Sequence, residues 1–148
     1  MIKEYVWGGI GYGQSAFAEV YPLYAYAGIE AAPHSHNLFM QIVLAMGIGG
    51  LICLMLIMFF YAQYSLEYIK KPLNKDTEIL SASAFVSVIA MLIMGMFDYV
   101  WYNYRIFFMF WVVLAIGVCT MKIGTKELRR RNLSRDPDAS SASIDIEF

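Results

Sequence analysis

The sequence predicts an all-α, polytopic membrane protein in which three transmembrane helices follow an extracytoplasmic N-terminal loop segment. Three observations lead there. The 148 residues are 59% hydrophobic and only 16% charged, with a mean hydropathy of +0.54, whereas a soluble domain is nearer half apolar and a quarter charged. The apolar residues gather into three runs long enough to cross a bilayer. The basic residues cluster at one end of each run, although the net charge is only −1.

Residues 1–37 come first. They contain no apolar run and Lys3 as their one basic residue, and no signal-peptide h-region follows Met1. A translocated segment with no span before it suggests that further sequence lies upstream. Tyr21, Tyr24 and Tyr26 favour the headgroup layer, so residues 14–32 are expected to lie along the outer surface.

The spans are expected at about residues 38–61, 79–97 and 106–121. A helix rising about 1.5 Å per residue needs on the order of 20 mostly apolar residues to cross a ~30 Å core. The third run is short, but Arg105 and Lys122 can snorkel from its ends. Lys70, Lys71 and Lys75 lie between the first two spans, and Lys122, Lys126, Arg129, Arg130, Arg131 and Arg135 follow the third. Three helices place both clusters on one side, the cytoplasmic one by the positive-inside rule. Residues 1–37 and the aromatic link from Asp98 to Arg105 then face outward. These basic residues anchor topology and do not point to nucleic acid. The region 122–148, with Pro137 and many Ser and Asp residues, is expected to be a disordered cytoplasmic tail.

Small residues recur within the spans: Ala45 and Gly49, Gly47 and Gly50, Ser83 and Ser87. They predict close contacts with partner helices. Cys53 and Cys119 fall inside apolar runs and are expected to act as small hydrophobes, not as a disulfide or metal pair.

Chemistry concentrates at His34-Ser35-His36-Asn37, directly before the first span. Ser35 or Asn37 suits a helix N-cap, which puts His36 beside the unpaired N–H groups of a helix N-terminus. That environment favours a neutral imidazole able to accept a proton, and the same N–H groups attract phosphate. The plainer alternative is an interfacial histidine bonded to neighbouring backbone. A metal site using His34, His36 and Glu30 is a further alternative.

Gly8, Gly9, Gly11 and Gly13 match neither a P-loop nor a dinucleotide fingerprint, because no strand precedes them and no Lys-Ser/Thr follows. They form either a tight turn or a cradle whose N–H groups, around Gly11 and Gly13, hold an anion. Asp98 and Arg105 flank the outer link. They either pair with each other or leave Arg105 to meet a phosphorylated or glycosylated ligand.

His36-Asn37, nine intervening residues and Gly47-Ile48-Gly49-Gly50 resemble the signature of the O-antigen ligase and O-antigen polymerase superfamily. Gly9-Ile10-Gly11-Tyr12-Gly13, Tyr21-Pro22 and Pro33 through Phe39 are similar to its terminal outer loop. Asp98 through Arg105 is similar to the final hairpin of Gram-positive members. The likeness covers about residues 1–121 and implies the C-terminal part of a multi-pass enzyme of the bacterial cytoplasmic membrane, active in cell-envelope polysaccharide biosynthesis. Such enzymes pass a glycan from an undecaprenyl diphosphate carrier to an acceptor hydroxyl on the outer face, without metal or other cofactor. The resemblance implies His36 as the catalytic base, with His34, Asn37, Gly11, Gly13 and Arg105 as candidates for substrate contact. The family's other outer arginines have no counterpart in this sequence, so upstream helices of the same fold are expected partners. A non-catalytic membrane module that binds partner helices is the alternative function, a peptidoglycan-type polymerase a more distant one. A transporter would favour ionisable groups deep in the spans, and these runs hold none.

Overall fold

The computed structural model describes residues 1–28 and 32–135, without the side chains of Gln14 and Arg135. Of the described residues 79% are helical, and none lies in a strand. Two short helices, α1 (Ile2–Tyr5) and α2 (Gln14–Val20), precede three long ones: α3 (Leu38–Lys70), α4 (Lys75–Phe97) and α5 (Tyr104–Arg135). Each long helix is long and apolar enough to cross a membrane.

Local signals explain the helix ends. Asn37 caps α3, its side chain accepting the Met40 N–H. Lys71-Pro72 stops α3, since proline cannot continue the backbone ladder. Asn74 then opens α4 through a reciprocal capping box with Thr77, with Asp76 and Glu78 in the first turn, where carboxylates complement the helix dipole.

Both outer helices exceed the spans expected from hydropathy. α3 runs on from Tyr61 to Lys70. α5 runs on from Met121 to Arg135, so residues 122–135 are helical and not part of an irregular tail. Lys, Glu, Leu and Arg are strong helix formers, and Glu127 pairs with Arg131 one turn later at 3.4 Å. The remainder of the expected tail, residues 136–148, lies outside the described residues.

α3 is not continuous. At Gly47 the backbone turns to φ 73°, ψ −177°, a conformation essentially restricted to glycine. The break divides α3 into residues 38–46 and 48–70.

The break frees backbone groups, and the N-terminal segment takes them up. Ile10 N–H donates to Leu44 O at 2.7 Å, Gly11 N–H to Ala45 O at 3.1 Å, and Ile48 N–H to Val6 O at 2.6 Å. Thus residues 6–11 run alongside α3, about two to three turns from its start. Irregular backbone at such depth persists only where protein covers and satisfies it.

The core joins the three long helices. Val88, Phe110 and Met121 are fully buried, and Trp101, in the link between α4 and α5, packs against Phe107, Phe110 and Trp111. Close helix approaches use glycines other than the expected ones, Gly95, Gly117 and Gly124 among them. A Cβ on Gly95 would fall 2.7 Å from Leu38 Cδ2, and one on Gly117 2.6 Å from the Tyr61 hydroxyl. Gly49 faces open space, Gly47 makes the break, and Ser87 bonds to the Ser83 carbonyl in its own helix.

Candidate functional site at the α3–α4 junction

The start of α3 and the end of α4 meet side by side. Leu38 sits against Gly95, and Asn37 Nδ2 donates to Met96 O at 2.8 Å. With Asn37 Oδ1 accepting the Met40 N–H at 3.0 Å, both ends of this amide are engaged. Asn37, expected as a substrate contact, is therefore a cap and a tie between helices.

This junction sets the histidine loop over Asp98, the residue that ends α4. His36 Nδ1 lies 3.1 Å from Asp98 Oδ1, across 62 residues of sequence. Asp98 Oδ1 also accepts the Tyr99 N–H at 2.7 Å, which orients the carboxylate. Its pKa falls below the ordinary carboxylate value, first through the Tyr99 N–H and then through His36. The expected pairing of Asp98 with Arg105 does not form. Arg105, on the first turn of α5, instead directs Nε to the Tyr104 hydroxyl at 3.3 Å. Proximity in sequence did not bring the two charges together because α5 turns away at Asn103, whose side chain accepts the Arg105 N–H.

An ionised carboxylate at Nδ1 selects the tautomer with the proton on Nδ1, and so leaves the Nε2 lone pair of His36 as an acceptor. The His36 side chain is 67% exposed, so that lone pair can meet a solute. His36 also occupies left-handed backbone space, φ 51°. Its N–H donates to His34 Nδ1 at 3.3 Å, one compensation for that conformation.

His34 is the buried member of the pair, 9% exposed. Its ring lies 4.7 Å from that of Tyr102 and 5.6 Å from that of Tyr99. Burial, followed by the neighbouring His36, lowers its pKa below 6.5, opposed in part by Asp98. Gln41, which the sequence did not single out, holds the loop from below: its Oε1 accepts the Ser35 N–H at 2.9 Å while the residue is buried. A polar residue one turn into an apolar run was the available signal.

Beside this loop, a cavity of about 140 Å³ opens between Pro33, Gln41 and the rings of Tyr12, Tyr99 and Tyr102, with Gly13 on its wall. It adjoins a more apolar cavity of about 340 Å³ that continues between α3 and α5 past Ala45, Leu54 and Trp111. Burial, reinforced by Tyr12, pushes the Tyr99 phenol up to about 12, so Tyr99 stays neutral. The Trp101 indole N–H is buried without a partner among the described residues.

The glycine cradle has a different use from the expected one. The Gly11 N–H is committed to Ala45 O, and a Cβ on Gly9 would collide with that same carbonyl. These glycines let backbone approach backbone, and the Gly11 amide is not free for an anion. Gly13 precedes α2 at φ 131°. The expected third metal donor, Glu30, lies outside the described residues.

No family model, curated protein or solved structure matches this chain.

Proposed function

We propose that the protein is a membrane glycosyltransferase of the O-antigen ligase and polymerase type, with His36 as the general base. The observation that carries this reading is the His36–Asp98 contact of 3.1 Å, which leaves Nε2 of an accessible imidazole free to take a proton. In the reaction, Nε2 accepts the proton of the acceptor hydroxyl as its oxygen attacks the anomeric carbon. The bond from that carbon to the carrier diphosphate breaks, with inversion, and the diphosphate leaves. Base assistance of this kind is worth about 10²–10⁴-fold, and Asp98 stabilises the imidazolium that forms. The apolar cavity beneath the loop suits a carrier lipid chain, and the aromatic wall of Tyr12, Tyr99 and Tyr102 suits a sugar. In this reading the site lies on the outer face of the bacterial cytoplasmic membrane, and the basic C-terminal end of α5 faces the cytoplasm.

The test is replacement of the native copy by His36→Ala in the organism that carries it. The lipid-linked glycan should accumulate on its diphosphate carrier and the transferred product should disappear, while the protein inserts at normal levels. Unchanged transfer by a normally inserted His36→Ala protein overturns the base assignment. A second reading, a non-catalytic module that binds partner helices, is favoured by the exposed apolar face of α4 at Val86, Ile93 and Met94. It predicts that partner binding responds to polar substitutions on that face and that His36→Ala changes nothing.

A further inference from the structure

We infer that His34, His36 and Asp98 form a binding site for a single divalent transition-metal ion of the zinc class. One ligand atom from each residue lies within 4.8 Å of the others. Donors around a tetrahedral ion with bonds of about 2.0–2.1 Å sit ~3.4 Å apart. The separations here, 3.1 Å from His36 Nδ1 to Asp98 Oδ1 and 4.0 Å from His34 Nδ1 to the same oxygen, bracket that value. The third pair, the two imidazoles, lies within 4.8 Å, so side-chain movements of about an ångström close the set around an ion.

Two donors have the right chemical form as they stand, and His36 reaches it when its ring proton moves from Nδ1 to Nε2. Asp98 is a carboxylate. His34 Nδ1 accepts the His36 N–H, so its ring proton sits on Nε2 and Nδ1 carries a lone pair. That backbone contact is long, 3.3 Å, and is the one that yields to a metal bond. Two imidazoles and one carboxylate suit zinc, cobalt or nickel better than calcium or magnesium, which prefer all-oxygen shells.

The surroundings fix the ligands as outer partners do in built metal sites. Tyr99 N–H orients Asp98, the rings of Tyr99 and Tyr102 hold His34, and Gln41 anchors Ser35 between the two histidines. Asp98 ends α4, so the partial negative charge of that helix terminus also favours a cation. His36 is exposed, which gives the ion a path in and leaves a coordination position open to solvent.

Metal on His36 Nδ1 would put the ring proton on Nε2, the atom assigned above as the base. Resting on that reading, an ion bound here switches transfer off, and metal-free transfer alternates with a metal-blocked state.

The experiment is titration of the purified, chelator-treated full chain in detergent with Zn²⁺ by calorimetry and with Co²⁺ by visible absorption. One equivalent should bind, with the intense d–d bands of a four-coordinate nitrogen–oxygen site and no thiolate charge-transfer band. Asp98→Asn and His34→Gln should each weaken binding by on the order of 10²-fold, at unchanged far-ultraviolet circular dichroism and size-exclusion profile. Cys53→Ser/Cys119→Ser should leave it intact. Absence of a one-to-one complex overturns the site, as does undiminished affinity in folded Asp98→Asn and His34→Gln. Binding of Zn²⁺ with transfer insensitive to His36→Ala leaves the site standing and rejects the base. Loss of transfer in His36→Ala with no metal binding does the reverse.

Discussion

The amide of Ile48 donates to the carbonyl of Val6 at 2.6 Å, a bond that joins the N-terminal segment to the middle of the first long helix. In an unbroken helix Ile48 N–H would serve Leu44 O. Here Leu44 O receives Ile10 N–H instead. The helix and the segment exchange partners at the break, so each needs the other to satisfy its backbone.

Gly47→Ala should therefore undock the segment. A Cβ there would lie 2.5 Å from Trp7 O, and alanine resists φ 73°. The expected cost is about 1–3 kcal/mol, read as a lower melting temperature in detergent. New protease cleavage should appear between Trp7 and Tyr12. Unaltered melting and protection would contradict the exchange.

Asn37→Ala removes the N-cap of α3 and its tie to Met96 O together. Loss of a cap alone costs about 0.5–2 kcal/mol. Asn37→Asp keeps an acceptor for Met40 N–H but has no donor for Met96 O. Its stability should fall between that of wild type and alanine. Wild-type stability in Asn37→Asp would show that the inter-helix tie contributes nothing.

Asp98→Asn tests whether the carboxylate orients the base. An amide can offer its N–H to His36 Nδ1, which shifts the ring proton to Nε2 and removes the acceptor. Transfer should fall at least about tenfold and at most by the ~10²–10⁴-fold expected of the base itself. Asp98→Glu should recover part of it. Full transfer in Asp98→Asn would separate Asp98 from the chemistry.

Acid should loosen the junction in two stages. The His34 pKa is lowered from 6.5, so the unfolded chain binds that proton more readily. Its contribution is complete above pH 6.5 and is lost as pH falls through the lowered value. Asp98, lowered from 3.8, contributes above that value and loses its share as pH falls through its own depressed pKa. A melting-temperature series against pH should decline in two steps, the upper one absent from His34→Gln. A curve that rises on acidification would reverse the sign argued here.

The long helices and the cap at Asn37 were legible in the sequence because they depend on local order. An apolar run of some twenty residues announces a span wherever it occurs, and Asn37 caps the run it precedes. Asp98 was visible as an outer acidic residue, yet its neighbour in the chain, Arg105, was the wrong partner to expect. Only the packing of Leu38 against Gly95 brings the end of α4 under the histidines, and no spacing in the sequence encodes a contact across 62 residues. The glycines tell the same story. Their number in residues 8–13 and at 47–50 signalled close approach, but whether an anion or a backbone approaches is a tertiary matter. Here the carbonyls released at Gly47 reach the Ile10 and Gly11 amides first, because a freed carbonyl in an apolar layer has nothing else to bond.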